Sequence, residues 1–512
     1  MTTISSLNAG LIPSLTPSSS TANNLASTAA SSADAGIGST IVTIPSPTVE
    51  SPIVYTPEGL LAGTQPIITW AQSNTDAVSK VMAGDYMSGT MSGQFYDLGS
   101  ALLDRFQTTG SNFTQSVTAA PASGAAATGL GAEGAQGDIK LTVQTASGVK
   151  VDIELDSDDG TLAVSVNSSG ALSDSERSAL AKLADGFQQA INGLSGSPPS
   201  LNLSGLTQYD TSVLSSVNLQ FNVTGDGSNN ISANIALNSS TRSVKVTDSD
   251  GTINLSVDTG DSAILGSGAQ QNQAIASYLA QFDHANTEGH GNSALMSMFK
   301  DAFTQMNSNT GTSSQQLPGT AYTPWLAQAD HAMLTGLDDF TASITDNTVS
   351  SNPLLPDQTD SFSYQVSQST QTEGDALEGK ITQTQQSLLK ATYHQSLSGG
   401  PVTLTKSPAS QNYDYVQVND AENSTVNLET DNGKLLQATL SQSSSESTEV
   451  TEYVKGVLMS DVTTPDNTSN SKDLLALLKS LIADQQAGQD GVNWQQALSS
   501  IHGMILLNAS PS

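Results

Sequence analysis

The chain contains no cysteine, so its five histidines are the side chains best suited to neutral-pH proton transfer or to nitrogen ligation of a metal. His284 and His290 lie in the run FDHANTEGHG together with Asp283 and Glu288, and His331 follows Asp330 farther along. If the helices carrying them converged, imidazole and carboxylate would build a zinc site. Their spacing matches no ligand pattern, however, and the run reads as a polar loop between helices. A second group, the acidic turns, contains Asp156, Asp158 and Asp159, then Asp248 and Asp250, then Asp258 and Asp261. Such oxygens suit calcium, yet none stands in a twelve-residue loop closed by a bidentate glutamate, and no nonapeptide calcium array is present. They read as hairpin turns. The expectation is a protein that needs no metal and no cofactor.

Catalytic motifs are missing as well. The sequence has no P-loop, no G-x-S-x-G elbow, no HExxH pair and no glycine fingerprint for a dinucleotide. Paired carboxylates for glycoside hydrolysis are a matter of separation in the fold, which sequence does not give. With 3 Trp and 5% aromatic residues, platforms for stacking sugars are thin. Asn-x-Ser/Thr triplets at Asn112, Asn222 and Asn254 are what this composition generates by chance. No catalytic, cofactor-binding or metal-binding residue is assigned.

Composition sets the wider bounds. The 512 residues carry 16 Lys plus Arg against 48 Asp plus Glu, a formal charge of −32, and only 12% of positions are charged. A chain this acidic offers no basic footprint for nucleic acid. No run of 18 apolar residues exists to span a bilayer as a helix. The absence of thiols, the scarcity of Lys and the wealth of Ser, Thr and Asn fit export to an oxidising exterior, the competing explanation being chance in a cytosolic chain. The first 50 residues hold two side-chain charges, Asp34 and Glu50. That excludes a secretory signal peptide and a mitochondrial presequence, both of which need basic residues. Low apolar content predicts a disordered leader, of the sort type III and flagellar export systems accept, and Pro alternates with β-branched residues over 41–66 as an extended linker.

These residues must be positioned by an α+β chain with two antiparallel β-rich modules and helical segments between and after them. The expected organisation is a disordered Ser/Thr/Pro-rich leader and linker over 1–65, a helical segment over 66–118, a β-rich module with one helix over 138–262, a helical segment over 270–350, a β-rich module over 360–465 and amphipathic helices over 471–512. Helices are predicted at 74–82 and 92–107, the latter from Phe95, Leu98, Leu102 and Phe106 at helical spacing. Ser173 to Glu176 has capping-box spacing ahead of Leu180, Leu183, Phe187, Ile191 and Leu194. Asp-Gly turns predict hairpins at Gly160, Gly227, Gly251 and Gly433, with positive φ expected at Gly251. Three helical stripes are expected in the middle. The third runs through Leu326, Met333, Leu337, Phe340 and Ile344, with a cap at Thr323 and Pro324.

Leu474, Leu475, Leu477, Leu478, Leu481 and Ile482 make a wide stripe near the carboxyl end, and Trp494, Leu498, Ile501, Ile505 and Leu506 make a second. Such stripes must be covered, either by the chain's own core or by a protein partner, an export chaperone or another copy of the chain. In composition the chain resembles exported bacterial appendage and secretion-system proteins and harpins, which are similarly acidic and cysteine-free. The expected function is that of an exported bacterial, non-enzymatic structural or interaction protein, a substrate of a type III or flagellar-type system. The alternatives are a secreted hydrolase with a carboxylate site and a cytoplasmic accessory protein.

Overall fold

A computed structural model gives the fold, and the residues it describes are 67–120, 136–158, 160–224, 230–260, 264–308, 332–374, 378–432, 434–486 and 491–507. The chain divides into two units, Met1–Tyr55 and Thr56–Ser512, and every described residue belongs to the second. The leader therefore lies outside the described residues, as do the cap at Thr323 and Pro324, Leu326, and His331 with Asp330.

The structure is α+β, with strand-rich stretches that share a single antiparallel sheet. Its early strands are β1 (Ile67–Trp70), β2 (Phe113–Ala120), β3 (Gln136–Thr145), β4 (Lys150–Asp158) and β5 (Thr161–Ser168). The middle is formed by β6 (Leu214–Thr224), β7 (Ile231–Asn238), β8 (Thr241–Thr247), β9 (Gly251–Asp258) and β10 (Asp339–Asp346). Five long strands complete it: β11 (Ser361–Gly374), β12 (Gly379–Ser396), β13 (Tyr413–Asp431), β14 (Lys434–Val454) and β15 (Val457–Asp473). In space the order is β1-β2-β5-β4-β3-β6, and from β6 each strand lies beside the next in sequence up to β15.

Alternation explains why one face carries the core. Ile139, Leu141 and Val143 in β3, and Val151, Ile153 and Leu155 in β4, are fully buried, while their sequence neighbours are more open. Against that face pack α1 (Ala77–Asp85), the short α2 (Met91–Gln94), α3 (Leu98–Thr109), α4 (Asp174–Ala181), α5 (Ala184–Leu194) and the short α6 (Ser204–Thr207). The capping box is made as the spacing predicts, Ser173 accepting from the Glu176 N–H and Glu176 accepting from the Ser173 N–H. One expected helix is divided in two at Lys182 and Leu183.

Over the middle strands lie α7 (Gly268–Glu288) and α8 (Ser293–Asn307), started by Ser267 and Asn292. Phe282 meets Phe299 and Phe303 at ring-centroid distances of 4.9 and 5.1 Å, and Phe303 meets Phe340 at 5.0 Å. Phe340 and Ile344 belong to β10, not to a third helix. Their spacing of four fits either period, but Phe340, Ala342 and Ile344 all face the core, and β10 pairs with β9 on one side and β11 on the other. A helix there would leave both neighbouring strands with unpaired backbone groups.

The strands flanking each predicted turn pair as hairpins, with positive φ at Gly160 and Asn432, while Gly227 and Gly433 themselves lie outside the described residues. Gly251 departs from expectation. Its φ is not positive, and the turn is instead held by the Asp248 side chain, which accepts from the N–H groups of Asp250 and Gly251 at 2.8 and 2.9 Å. What requires glycine is close approach: an added Cβ would lie 2.2 Å from the Thr345 carbonyl oxygen and 2.7 Å from Leu295 Cδ2. Gly251→Val should therefore cost about 1–3 kcal/mol through overpacking, read as a lowered unfolding midpoint in denaturant. An unchanged midpoint would remove the contact from the argument.

The last helices, α9 (Leu474–Gln486) and α10 (Gly491–Ile505), lie on the chain's own sheet. Leu474, Leu478, Ile501 and Ile505 are buried with Ile381, Val426, Leu428 and Leu440 from β12, β13 and β14. Among the described residues no helix is long and apolar enough to cross a membrane.

Candidate functional site

The histidine run does not converge on one point. His284 Nδ1 lies 3.6 Å from Glu288 one turn on, Asp283 takes the Lys300 ammonium at 2.7 Å, and His290, at φ 53°, stacks on Tyr393 with centroids 3.9 Å apart. Among the described residues no group of three or more His, Asp and Glu is arranged to hold a metal ion. Two of the acidic side chains, Asp248 and Asp258, are occupied in capping the backbone of their own turns. Asp248 accepts from two N–H groups of its own turn, and Asp258 accepts from the Gly260 N–H at 3.1 Å. Asp159 and Asp261 lie outside the described residues.

A carboxylate cluster that the spacing of residues did not announce sits where α7 crosses β13 and β14. Asp420 and Glu422 are two residues apart on β13, so both turn to the helix-covered face, and Glu446 on β14 stands opposite Asp420. Glu422 accepts from Gln281 Nε2 of α7 at 2.7 Å. Burial, then the Asp420 charge, raises the Glu422 carboxyl to about 7. Burial, then Glu446 and Glu288, raises Asp420 to about 6, with His284 opposing. Asp420 Oδ1 is buried without a hydrogen-bond partner. Tyr364 of β11 and Tyr393 of β12 are raised by burial, and the nearby carboxylates add to that shift. Glu422 also lines a 420 Å3 cleft beneath α10, with Ser444, Asn470 and Lys472. The available signal is period two in Asp420-Ala421-Glu422, within a stretch whose alternation is loose.

The opposite face of the sheet is open and polar. Register places Asn234 opposite Lys245, Lys245 opposite Asn254, Asn254 opposite Ser343 and Ser343 opposite Gln365. The row continues through Leu388 and Ala421 to Ser445 and Asn467. Beside it runs a second row from Ser243 through Ser256, Thr341, Ser367 and Gln386 to Asn423 and Ser443. Together they line a trough of 1320 Å3 that crosses β7 to β15. Two lining residues are charged, Lys245 and Glu422, and the Glu422 carboxylate is turned through the sheet to Gln281.

The sheet's end is the third feature. Among the described residues β15 pairs with β14 alone, and it is exposed along nearly its whole length, with Val457, Leu458, Met459 and Val462 each more than half exposed.

No family model matches the chain, and no curated protein or solved structure is similar to it.

Proposed function

We propose that the protein is an exported, non-enzymatic structural or interaction protein whose working contact is the free edge of β15, where a second copy adds strand to strand. The observation that carries this reading is the edge itself. Its seventeen residues span about 56 Å, long enough to template another strand, and the outward row of N–H and C=O groups, interrupted at Pro465, has no strand partner among the described residues. The tail helices, by contrast, bury Leu474, Leu478, Leu498, Ile501 and Ile505 against the sheet, the side chains of Leu481, Ile482 and Trp494 lying outside those described, so a partner there would have to displace the chain's own contacts. Asp461, Asp466 and Pro465 guard the edge and limit its registers. Antiparallel self-pairing about Pro465 sets Asp461 opposite Ser469 and Asp466 opposite Thr464, which keeps the carboxylates apart. Composition supports export, and cell fractionation tests that part alone.

A charge of −32 on each copy opposes association at low salt. Sedimentation velocity should show a monomer at low ionic strength and a dimer once the Debye length falls from about 30 Å to below 10 Å. Met459→Asp with Val462→Asp should hold the protein monomeric at every salt concentration without lowering its melting temperature, since both side chains are exposed. A wild type that stays monomeric in high salt overturns the reading.

One observation favours the hydrolase reading instead: Glu422 and Asp420 titrate near neutrality, and Glu422 lines a cleft, as a general acid would. A hydrolytic activity lost in Glu422→Gln while the fold is kept would establish it.

A further inference from the structure

The geometry points to a binding site for an uncharged polysaccharide in the trough across β7 to β15. Its floor is built from hydroxyls and carboxamides such as Asn254, Ser343, Gln365, Asn423 and Ser445, each able to donate and accept. Aromatic side chains are missing from its lining, and of the apolar residues there Val244, Leu255, Ala342 and Val366 are buried, which leaves Leu388 and Ala421 as the open ones, too few to seat an apolar helix or a hydrophobic peptide. Charge is equally sparse. On a chain of −32, a 1320 Å3 concavity whose one outward charge is Lys245 repels neither a neutral ligand nor its hydration, while it offers too little cation density for a polyanion.

Neutral, extended and rich in hydroxyls describes a glycan. The rungs of the two rows recur at the inter-strand step of about 4.8 Å, comparable to one pyranose ring, so a chain lying across the strands meets at least one polar side chain at each ring, Gln386 and Asn423 serving where the first row carries Leu388 and Ala421. Each contact exchanges a water hydrogen bond for a protein one and adds little by itself. Binding therefore accumulates along the polymer, and a monosaccharide is held weakly. The trough takes in one face of β15 through Asn467 and Thr468 but not the backbone groups of its free edge, and monomeric protein at low salt suffices to test it.

Native gels cast with a neutral polysaccharide, either a soluble β-glucan or a galactomannan, provide the measurement. Wild-type protein should be retarded by at least one of them and not by its constituent monosaccharide. Gln365→Glu with Ser445→Glu, two exposed changes that put carboxylates into the trough, should run as in an empty gel with an unchanged melting temperature. Equal mobility of wild type with and without each polymer overturns the proposal, as does equal retardation of the double variant. So does retardation by anionic polysaccharides alone. Dimerisation through β15 is unaffected by any of these results.

Discussion

Leu478→Asp combined with Ile501→Asp should remove at least about 5 kcal/mol from the stability of the carboxyl-terminal region, because two buried apolar side chains are lost and two unpaired charges enter their place. These residues lie on α9 and α10 against Val426, Leu428 and Leu440. The loss should be local before it is global. Polar side chains on the sheet hold the end of α10 through its backbone: Gln385 and Ser424 donate to the Ile505 carbonyl at 2.8 and 2.7 Å, and Gln442 donates to Met504 at 3.0 Å. His502 Nε2 lies 3.0 Å from the Thr335 carbonyl, and burial keeps that imidazole's affinity for a second proton low. With the apolar seal broken, water competes for every one of these bonds. Limited proteolysis should then cut first between 474 and 507, and the melting transition should fall or split. A variant that melts like wild type and resists protease would show that the helices are held by something other than this core.

Stability should also fall as pH rises from 5 to 8. The groups at the crossing of α7 with the sheet are His284 and Glu288 on α7, Tyr364 on β11, Tyr393 on β12, Asp420 and Glu422 on β13 and Glu446 on β14. Asp420 and Glu422 have folded values of about 6 and about 7, above their ordinary values, so the folded state binds more protons than the unfolded one between those limits. Their contribution is complete near pH 4 and is withdrawn as pH passes through 6 and 7. Since the two carboxyls are coupled and partly open to water, the pair is worth about 3 kcal/mol in all, a fall of several degrees in melting temperature. Below pH 4 the trend reverses. Glu176, held low by hydrogen bonds from Ser147 and Ser173, then begins to lose its charge and its contribution. Glu422→Gln keeps an acceptor for Gln281 and should raise the melting temperature at pH 8 while flattening the slope above pH 5. A wild-type profile that rises from pH 5 to 8 contradicts this account.

Much of the fold was legible because its signals are local. Alternation in Ile139-Lys140-Leu141, the capping box at Ser173 and the turn at Asp431-Asn432 each act over a few residues, and each has its expected structure. The failures come from contacts distant in sequence. β10 is a strand because β9 and β11 flank it, although its apolar spacing also suits a helix. Gly251 is glycine because the Thr345 carbonyl, 94 positions away, occupies the space of a side chain. The carboxylate cluster and the trough were invisible for the same reason. Asp420 gains its environment from α7, and the two polar rows exist only when nine strands are brought into register.

The strand order also bears on how the molecule reaches this state. Within β6 to β9, and again within β10 to β15, every new strand adds to the one made just before it, so each pairing closes only a short loop. Four steps demand more: joining β1 to β2 across α1, α2 and α3, β2 to β5, β3 to β6, and β9 to β10 across α7 and α8. Those long closures set the folding barrier, and once they are made the sheet grows toward β15 like a zipper. Run backwards, the same path makes the far end the first to open. Amide exchange should be slowest around β3 and β6, faster through β13 and β14, and fastest in the two edge strands, β1 and β15, each of which has one neighbour in the sheet to hold it.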